Sequence, residues 1–271
     1  DISGNTWLNN EGWVMNLNNV SGVISDNVVR QNAGSVQSEL GMLIATANDE
    51  NDLVIQENTY KNLLVGVGLD FGPSGSISVR DNEFSDVGFG VIIGSNSNPK
   101  QNAEFTIESN EFKTDGEVAA LIRQDVSSTS IVDNVLDAGN SNSSTIAFFD
   151  TGGFSGAERI TYDPLDGDDY DLDGVFDFGF ISDTGLADSD PGIVDRGMPS
   201  TLSAQLTGAT DFFDQGGSNQ QLAVETDGTD GRLFADMNGN GDLDVDDMAV
   251  DLIGLQDTAN FTTDDMAGFA G

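Results

Sequence analysis

Apolar and polar residues alternate over much of residues 1–150, and the alternation is interrupted at recurring Asn-centred points. The pattern is an apolar β-branched residue, two residues, Asn, one residue, then an apolar residue. It occurs as ISGNTW (2–7), ISDNVV (24–29), IQENTY (55–60), VRDNEF (79–84), IESNEF (107–112) and IVDNVL (131–136). Three places before the Asn stand Ile2, Ile24, Ile55, Val79, Ile107 and Ile131. Two places after it stand Trp7, Val29, Tyr60, Phe84, Phe112 and Leu136. Alternation extends upstream in Leu53/Ile55, Ile77/Val79 and Phe105/Ile107, which is strand periodicity. A second apolar strand follows each Asn turn, at 13–17, 41–46, 63–69, 88–94, 118–124 and 145–150. No helical period appears in this half.

Units of about 25 residues made of short strands predict a solenoid, because one such unit cannot bury its own apolar face. Stacked at the ~4.8 Å strand spacing, about six coils would span roughly 29 Å. Stacked Asn residues could form an internal amide ladder, and Asn itself tolerates the left-handed turn conformation that a corner needs. These Asn-centred repeats resemble the right-handed parallel β-helix family. A leucine-rich repeat would place Leu eight residues before each Asn, where this chain has Asn19, Glu50, Ser74, Asn102 and Val126. The expected fold class is therefore all-β: a right-handed parallel β-helix over residues 1–155. Irregular terminal coils or a β-rich cap follow over 156–235, and a small, partly helical calcium module over 236–271. The chain enters directly at the Ile of the first repeat, which suggests further coils upstream or a subunit contact at that end.

Charge sharpens the functional picture. The chain has 271 residues with 47 Asp+Glu against 9 Lys+Arg, a net charge of −38. So acidic a chain is not expected to bind nucleic acid or insert into membranes, and cations are its natural partners. With no Cys and no His, thiolate chemistry, Ser-His-Asp triads and His-ligated metals are excluded. In the second part of the chain the acid is almost all Asp, a residue of loops and metal turns rather than of helices.

Two Asp-rich stretches have metal-ligand spacing. In DMNGNGDLDVDD (236–247), Asp236, Asn238, Asn240, Asp242, Asp244 and Asp247 occupy positions 1, 3, 5, 7, 9 and 12 of a twelve-residue EF-hand-type loop. Gly241 takes the sharp turn and Leu243 is expected to point inward. Val245, Met248, Ala249, Leu252 and Ile253 then follow a helical period, predicting an exiting helix. Loop and helix together resemble a dockerin type I repeat, which implies Ca²⁺ as the bound ion. The second stretch offers Asp169, Asp171, Asp173 and Asp177 around Gly174, and is similar to extracellular calcium-binding aspartate repeats.

No catalytic residue is nominated. Arg30, Lys61, Arg80, Lys100, Lys113 and Arg123 form no motif along the chain, and no carboxylate pair stands out among so many acids. The expectation is an extracellular or cell-surface β-solenoid of structural or adhesive role. It is calcium-stabilised, and self-associates or joins a larger surface assembly such as a head-to-tail fibre or surface layer. The alternative is a polysaccharide lyase or hydrolase of the β-helix type, with an extracellular polysaccharide as partner.

Overall fold

The computed structural model describes residues 1–32, 40–46, 52–69, 75–94, 100–113, 118–123, 126–137, 144–150, 159–164, 176–182, 193–195, 212–213, 222–236, 241–243, 248–261 and 266–268. They form a parallel β-solenoid. The predicted repeat positions fall into register, one above the other. On one sheet the ladder runs Ile2, Ile24, Ile55, Val79, Ile107, Ile131, Tyr162 and Leu252. A second face aligns Trp7, Val29, Tyr60, Phe84, Phe112 and Leu136. A third aligns Met15, Met42, Val67, Val91, Ala120, Ile146, Phe178 and Met266, which belong to the second strands read from the sequence and their continuation. Buried members of these rows share one hydrophobic core that includes Ile24, Ile55, Val79, Tyr60, Phe84, Met42 and Val67.

The corners correct one sequence expectation. The left-handed residue is the one before the Asn: Gly4, Asp26, Glu57, Asp81, Ser109 and Asp133 have φ between 53° and 67°. These side chains are free to face outward, and the five non-glycine members are exposed. Each non-glycine left-handed corner costs roughly 1–2 kcal/mol, and turning there sends the Asn side chain inward.

Inside, the amides form a directional ladder. Asn58 Oδ1 accepts from Asn27 N (3.0 Å) and Asn27 Nδ2 (2.9 Å). Asn82 Oδ1 accepts from Asn58 N and Nδ2, both at 3.0 Å. The same pair of bonds links Asn5 to Asn27, Asn82 to Asn110 and Asn110 to Asn134. Each Nδ2 from Asn27 onward also donates to the carbonyl of the Ile or Val one coil earlier, as Asn82 does to Ile55 O at 2.9 Å. Polar groups at an otherwise apolar corner are thus satisfied, which removes the desolvation cost that burial would impose.

Aromatic stacking fills the second face. The Tyr60 and Phe84 ring centroids lie 5.0 Å apart at 11°, and those of Phe84 and Phe112 4.7 Å apart at 8°. Room for the rings comes from glycine. A Cβ on Gly66 would lie 2.5 Å from Phe84 Cε1 and 2.7 Å from Gly90 O. The Tyr60 hydroxyl is buried without a hydrogen-bond partner among the described residues, and desolvation raises its pKa far above the ordinary value.

The C-terminal part departs from expectation. The helix predicted from Val245 to Ile253 is not found over its described part, residues 248–253. Strand Met248–Leu252 stands there, parallel to Arg159–Pro164. It also pairs antiparallel with Gly231–Ala235, which pairs antiparallel with Leu222–Thr226. The only helix among the described residues is the 3-10 turn Thr258–Asn260. The physical reason is two-sided burial. Val250 and Leu252 face the solenoid core, whereas Ala249 packs on a second cluster of Phe212, Phe213, Ala223, Phe234 and Leu243. Asp251, on that same outer side, meets Arg232. Alternating partners on opposite faces demand a period of two. An antiparallel meander therefore covers the parallel edge at Arg159–Pro164, and the segment after Asp236 adds its strand to the solenoid sheet.

Candidate functional site

The Asp236 stretch is the connection of a β-hairpin. It leaves strand Gly231–Ala235 and returns as Met248–Leu252. Asp236 is only 4% exposed, and its Oδ2 accepts the Gly241 N–H at 2.8 Å. Gly241 has φ +80°, a conformation that side chains resist. Its own carbonyl accepts the Phe213 N–H at 3.1 Å. Leu243 is fully buried in the second cluster, pointing inward as its place in the loop predicts. Asp242, between them, is partly exposed. Asp236, Gly241 and Leu243, the first, sixth and eighth positions, are thus tied to one another and to the cap. Asn238, Asn240, Asp244 and Asp247 lie outside the described residues, as do Asp169, Asp171 and Asp173; Asp177 falls in strand Phe176–Ser182. Among the described residues, no three or more His, Cys, Asp or Glu gather in a group that could hold a metal ion.

The meander brings together a group that sequence reading missed. Glu225 lies opposite Arg232, and Arg232 opposite Asp251. Arg232 Nε and Nη2 both meet Asp251 Oδ1. Exposures of 2% for Glu225, 9% for Arg232 and 8% for Asp251 place the whole row under cover. Two carboxylates flanking a guanidinium could in principle serve acid–base chemistry or bind an anion. Here the guanidinium is engaged by Asp251 and water is largely excluded, so the Arg232–Asp251 pair acts as a buried charge clamp between two strands. The one available signal was Asp227-Gly228, which marks a hairpin but as a two-residue turn would set Glu225 against Asp230; the four-residue loop Asp227–Asp230 sets it against Arg232 instead. That turn is held by the Asp227 carboxylate, which accepts N–H groups from Thr229 (2.8 Å) and Asp230 (3.0 Å). The Asp230 and then the Thr229 backbone bonds lower the Asp227 pKa below its ordinary value. Asp230 in turn accepts the Gly254 N–H at 2.9 Å, joining the turn to the end of strand Met248–Leu252.

Basic residues scattered along the sequence also align. Arg30 stands over Lys61, Lys61 over Ser85, and Ser85 over Lys113. Each lysine has local acid: Lys113 meets Glu111 at 2.9 Å and Glu83 at 3.4 Å, and Lys61 meets Asp86 at 3.7 Å. The Glu111 and then the Glu83 interactions raise the Lys113 pKa. These half-exposed pairs add little stability, but they cancel charge along one face of an acidic molecule. No helix among the described residues is long and apolar enough to cross a membrane. No family model matches the chain, and no curated protein or solved structure matches it.

Proposed function

We propose that the protein is an extracellular β-solenoid of structural or adhesive role, whose C-terminal cap is set by Ca²⁺ bound in the 236–247 loop. The observation that carries this reading is the grip of the Asp236 carboxylate on Gly241 in the connection between two cap strands. It holds the first and sixth positions of a calcium-spaced loop in a tight turn. Side-chain oxygens of Asn238, Asn240 and Asp247, the backbone carbonyl of Asp242 and a water held by Asp244 would complete a hard-cation donor set. Cation charge would offset repulsion among the loop carboxylates, so binding energy becomes folding energy for the cap. A hairpin rather than a helix leaves the loop, so the reading is a calcium clasp on the solenoid without a cohesin-binding role. The coils are taken as right-handed, as parallel crossovers almost always are. Extracellular calcium, at millimolar concentration, suits modules that bind it with Kd of about 10⁻⁴–10⁻³ M.

Calorimetric titration of the full chain with Ca²⁺ tests this directly. The reading expects saturable binding in that range, abolished in Asn238→Ala/Asp247→Ala, which removes two direct side-chain donors. Absence of binding at about ten times the upper value rules out the clasp.

A further inference from the structure

We propose that residues 254–261 form a strap that acid releases: the Asp227–Asp230 turn holds it over the inner apolar face of the cap, and protonation of that turn lets it lift. The device needs no cation. The strap leaves strand Met248–Leu252 at Gly254, whose φ of +86° makes the sharp turn. It then runs back across the meander. Leu255 (1% exposed) and Phe261 (3%) enter the core cluster that also holds Leu222, Val224 and Leu233. Leu255 sits on Gly231, where a Cβ would lie 2.5 Å from Leu255 Cδ2 and 2.9 Å from its Cβ. The 3-10 turn Thr258–Asn260 lies against strand Leu222–Thr226.

Two polar contacts fasten the strap, and only one of them titrates. Asp230 Oδ1 accepts the Gly254 N–H at 2.9 Å. The Thr226 hydroxyl lies 2.7 Å from the Leu255 carbonyl and 3.0 Å from the Asp230 carbonyl, a neutral tie between strap and turn. Asp227 holds the turn that presents Asp230, by accepting the Thr229 and Asp230 N–H groups. Protonation weakens both carboxylates as acceptors, because a bond to a charged acceptor is roughly twice as strong as a neutral one. The turn bonds, that of Asp230 first, hold the Asp227 carboxyl below its ordinary pKa of 3.8. The closed form therefore binds fewer protons than the open one. The Asp227 contribution to closure is present above 3.8 and is lost as pH falls through the lower folded value. Among the described residues, the other charged groups on the packed elements do not oppose this. Asp257, in the strap, accepts the Ala259 N–H at 3.0 Å, and that bond weakens with acid in the same direction. Glu225, Arg232 and Asp251 alternate to the opposite face of the meander, where Arg232 pairs with Asp251. Acid also relieves self-repulsion in a chain of net charge −38, which favours the coils while the strap loosens.

The test uses the full chain in metal-free buffer. Amide exchange, corrected for the intrinsic rate at each pH, is read by NMR from about pH 6 to about pH 3. One proton taken up on opening raises the open fraction by up to about tenfold per pH unit in the window below 3.8. Protection of the Gly254 and Phe261 amides should fall by that factor, while Ile55 and Val79 in the coils keep theirs. Asp230→Ala should loosen the strap at neutral pH and shrink its response to acid. Thr226→Val, which removes the neutral tie, should loosen it at every pH and leave that response in place. Unchanged protection at Gly254 and Phe261 through the titration overturns the proposal. So does a loss that the coils share in one step, which is acid unfolding of the whole chain. The wild-type titration decides the matter even if Asp230→Ala does not fold.

Discussion

Truncating Asn82 to alanine removes the middle rung of the amide ladder. The side chain is 2% exposed. Its Nδ2 donates to Ile55 O at 2.9 Å, Arg80 O at 2.8 Å and Asn110 Oδ1 at 3.0 Å, and its Oδ1 accepts from Asn58 N and Nδ2 at 3.0 Å. Asn58 Nδ2 keeps Ile24 O and Gln56 O as acceptors, so its loss is partial. The Asn58 N–H and the Ile55 carbonyl lose the side chain that satisfies them in the interior. A buried polar group left unsatisfied costs about 1–3 kcal/mol, so two such groups predict a loss of roughly 2–6 kcal/mol. Asn5→Ala is the internal reference. That residue is exposed, and its backbone N–H keeps Asn27 Oδ1, so about 0.5–1 kcal/mol is expected. Urea unfolding followed by far-UV circular dichroism measures both. Because solenoids need not unfold in one step, the comparison uses midpoint and slope together. Asn82→Asp keeps the acceptor but loses the donor to Ile55, and should remain strongly destabilised. Equal losses for Asn82→Ala and Asn5→Ala, within about 0.5 kcal/mol, would refute the claim that the ladder supports the corners.

Gly66→Ala should cost about 1–3 kcal/mol by overpacking, because the new methyl meets Gly90 O as well as the Phe84 ring and a backbone carbonyl cannot step aside; thermal unfolding at wild-type midpoint would contradict the packing account. Arg232→Met should cost about 3–5 kcal/mol by leaving the buried Asp251 carboxylate uncompensated, and Arg232→Met/Asp251→Leu should recover much of that; a double variant no better than the single would show that the pair is not a unit. Asp227 has a folded pKa below the ordinary 3.8, so its contribution is present above that value and is lost as pH falls through the lower folded one. A carboxyl ¹³C titration should give Asp227 a midpoint below 3.8, and a midpoint at or above it would show that the turn bonds do not act on the carboxylate.

The solenoid was legible in the chain because each coil repeats the same demand at the same place. An inward Ile or Val, an inward Asn and an inward aromatic or aliphatic residue recur together, and the register pairs them one to one. The corner was half legible. Asn tolerates the left-handed region, but so do the Asp and Gly before it, and only the inward role of the amide decides between them. The exiting helix was misread because Met248, Ala249 and Leu252 fit a helical stripe while Met248, Val250 and Leu252 fit a strand. Which period wins is set by Phe234 and Leu233 on the neighbouring strand, a tertiary fact. The Glu225–Arg232–Asp251 row and the Arg30–Lys61–Lys113 column were hidden for the same reason: their members meet only through strand register. In the 236–247 stretch, spacing alone placed Gly241 at the turn and Leu243 inside, since both follow from local geometry.

Amide hydrogen exchange across the whole chain, compared in Ca²⁺ and in EDTA, tests most directly whether the loop is a clasp on a self-supporting solenoid. The account predicts that chelation accelerates exchange in Gly231–Ala235 and Met248–Leu252 while the coils carrying Asn27, Asn58, Asn82 and Asn110 keep their protection. Loss of protection over the entire chain in one step, or no change in the cap strands, would contradict it.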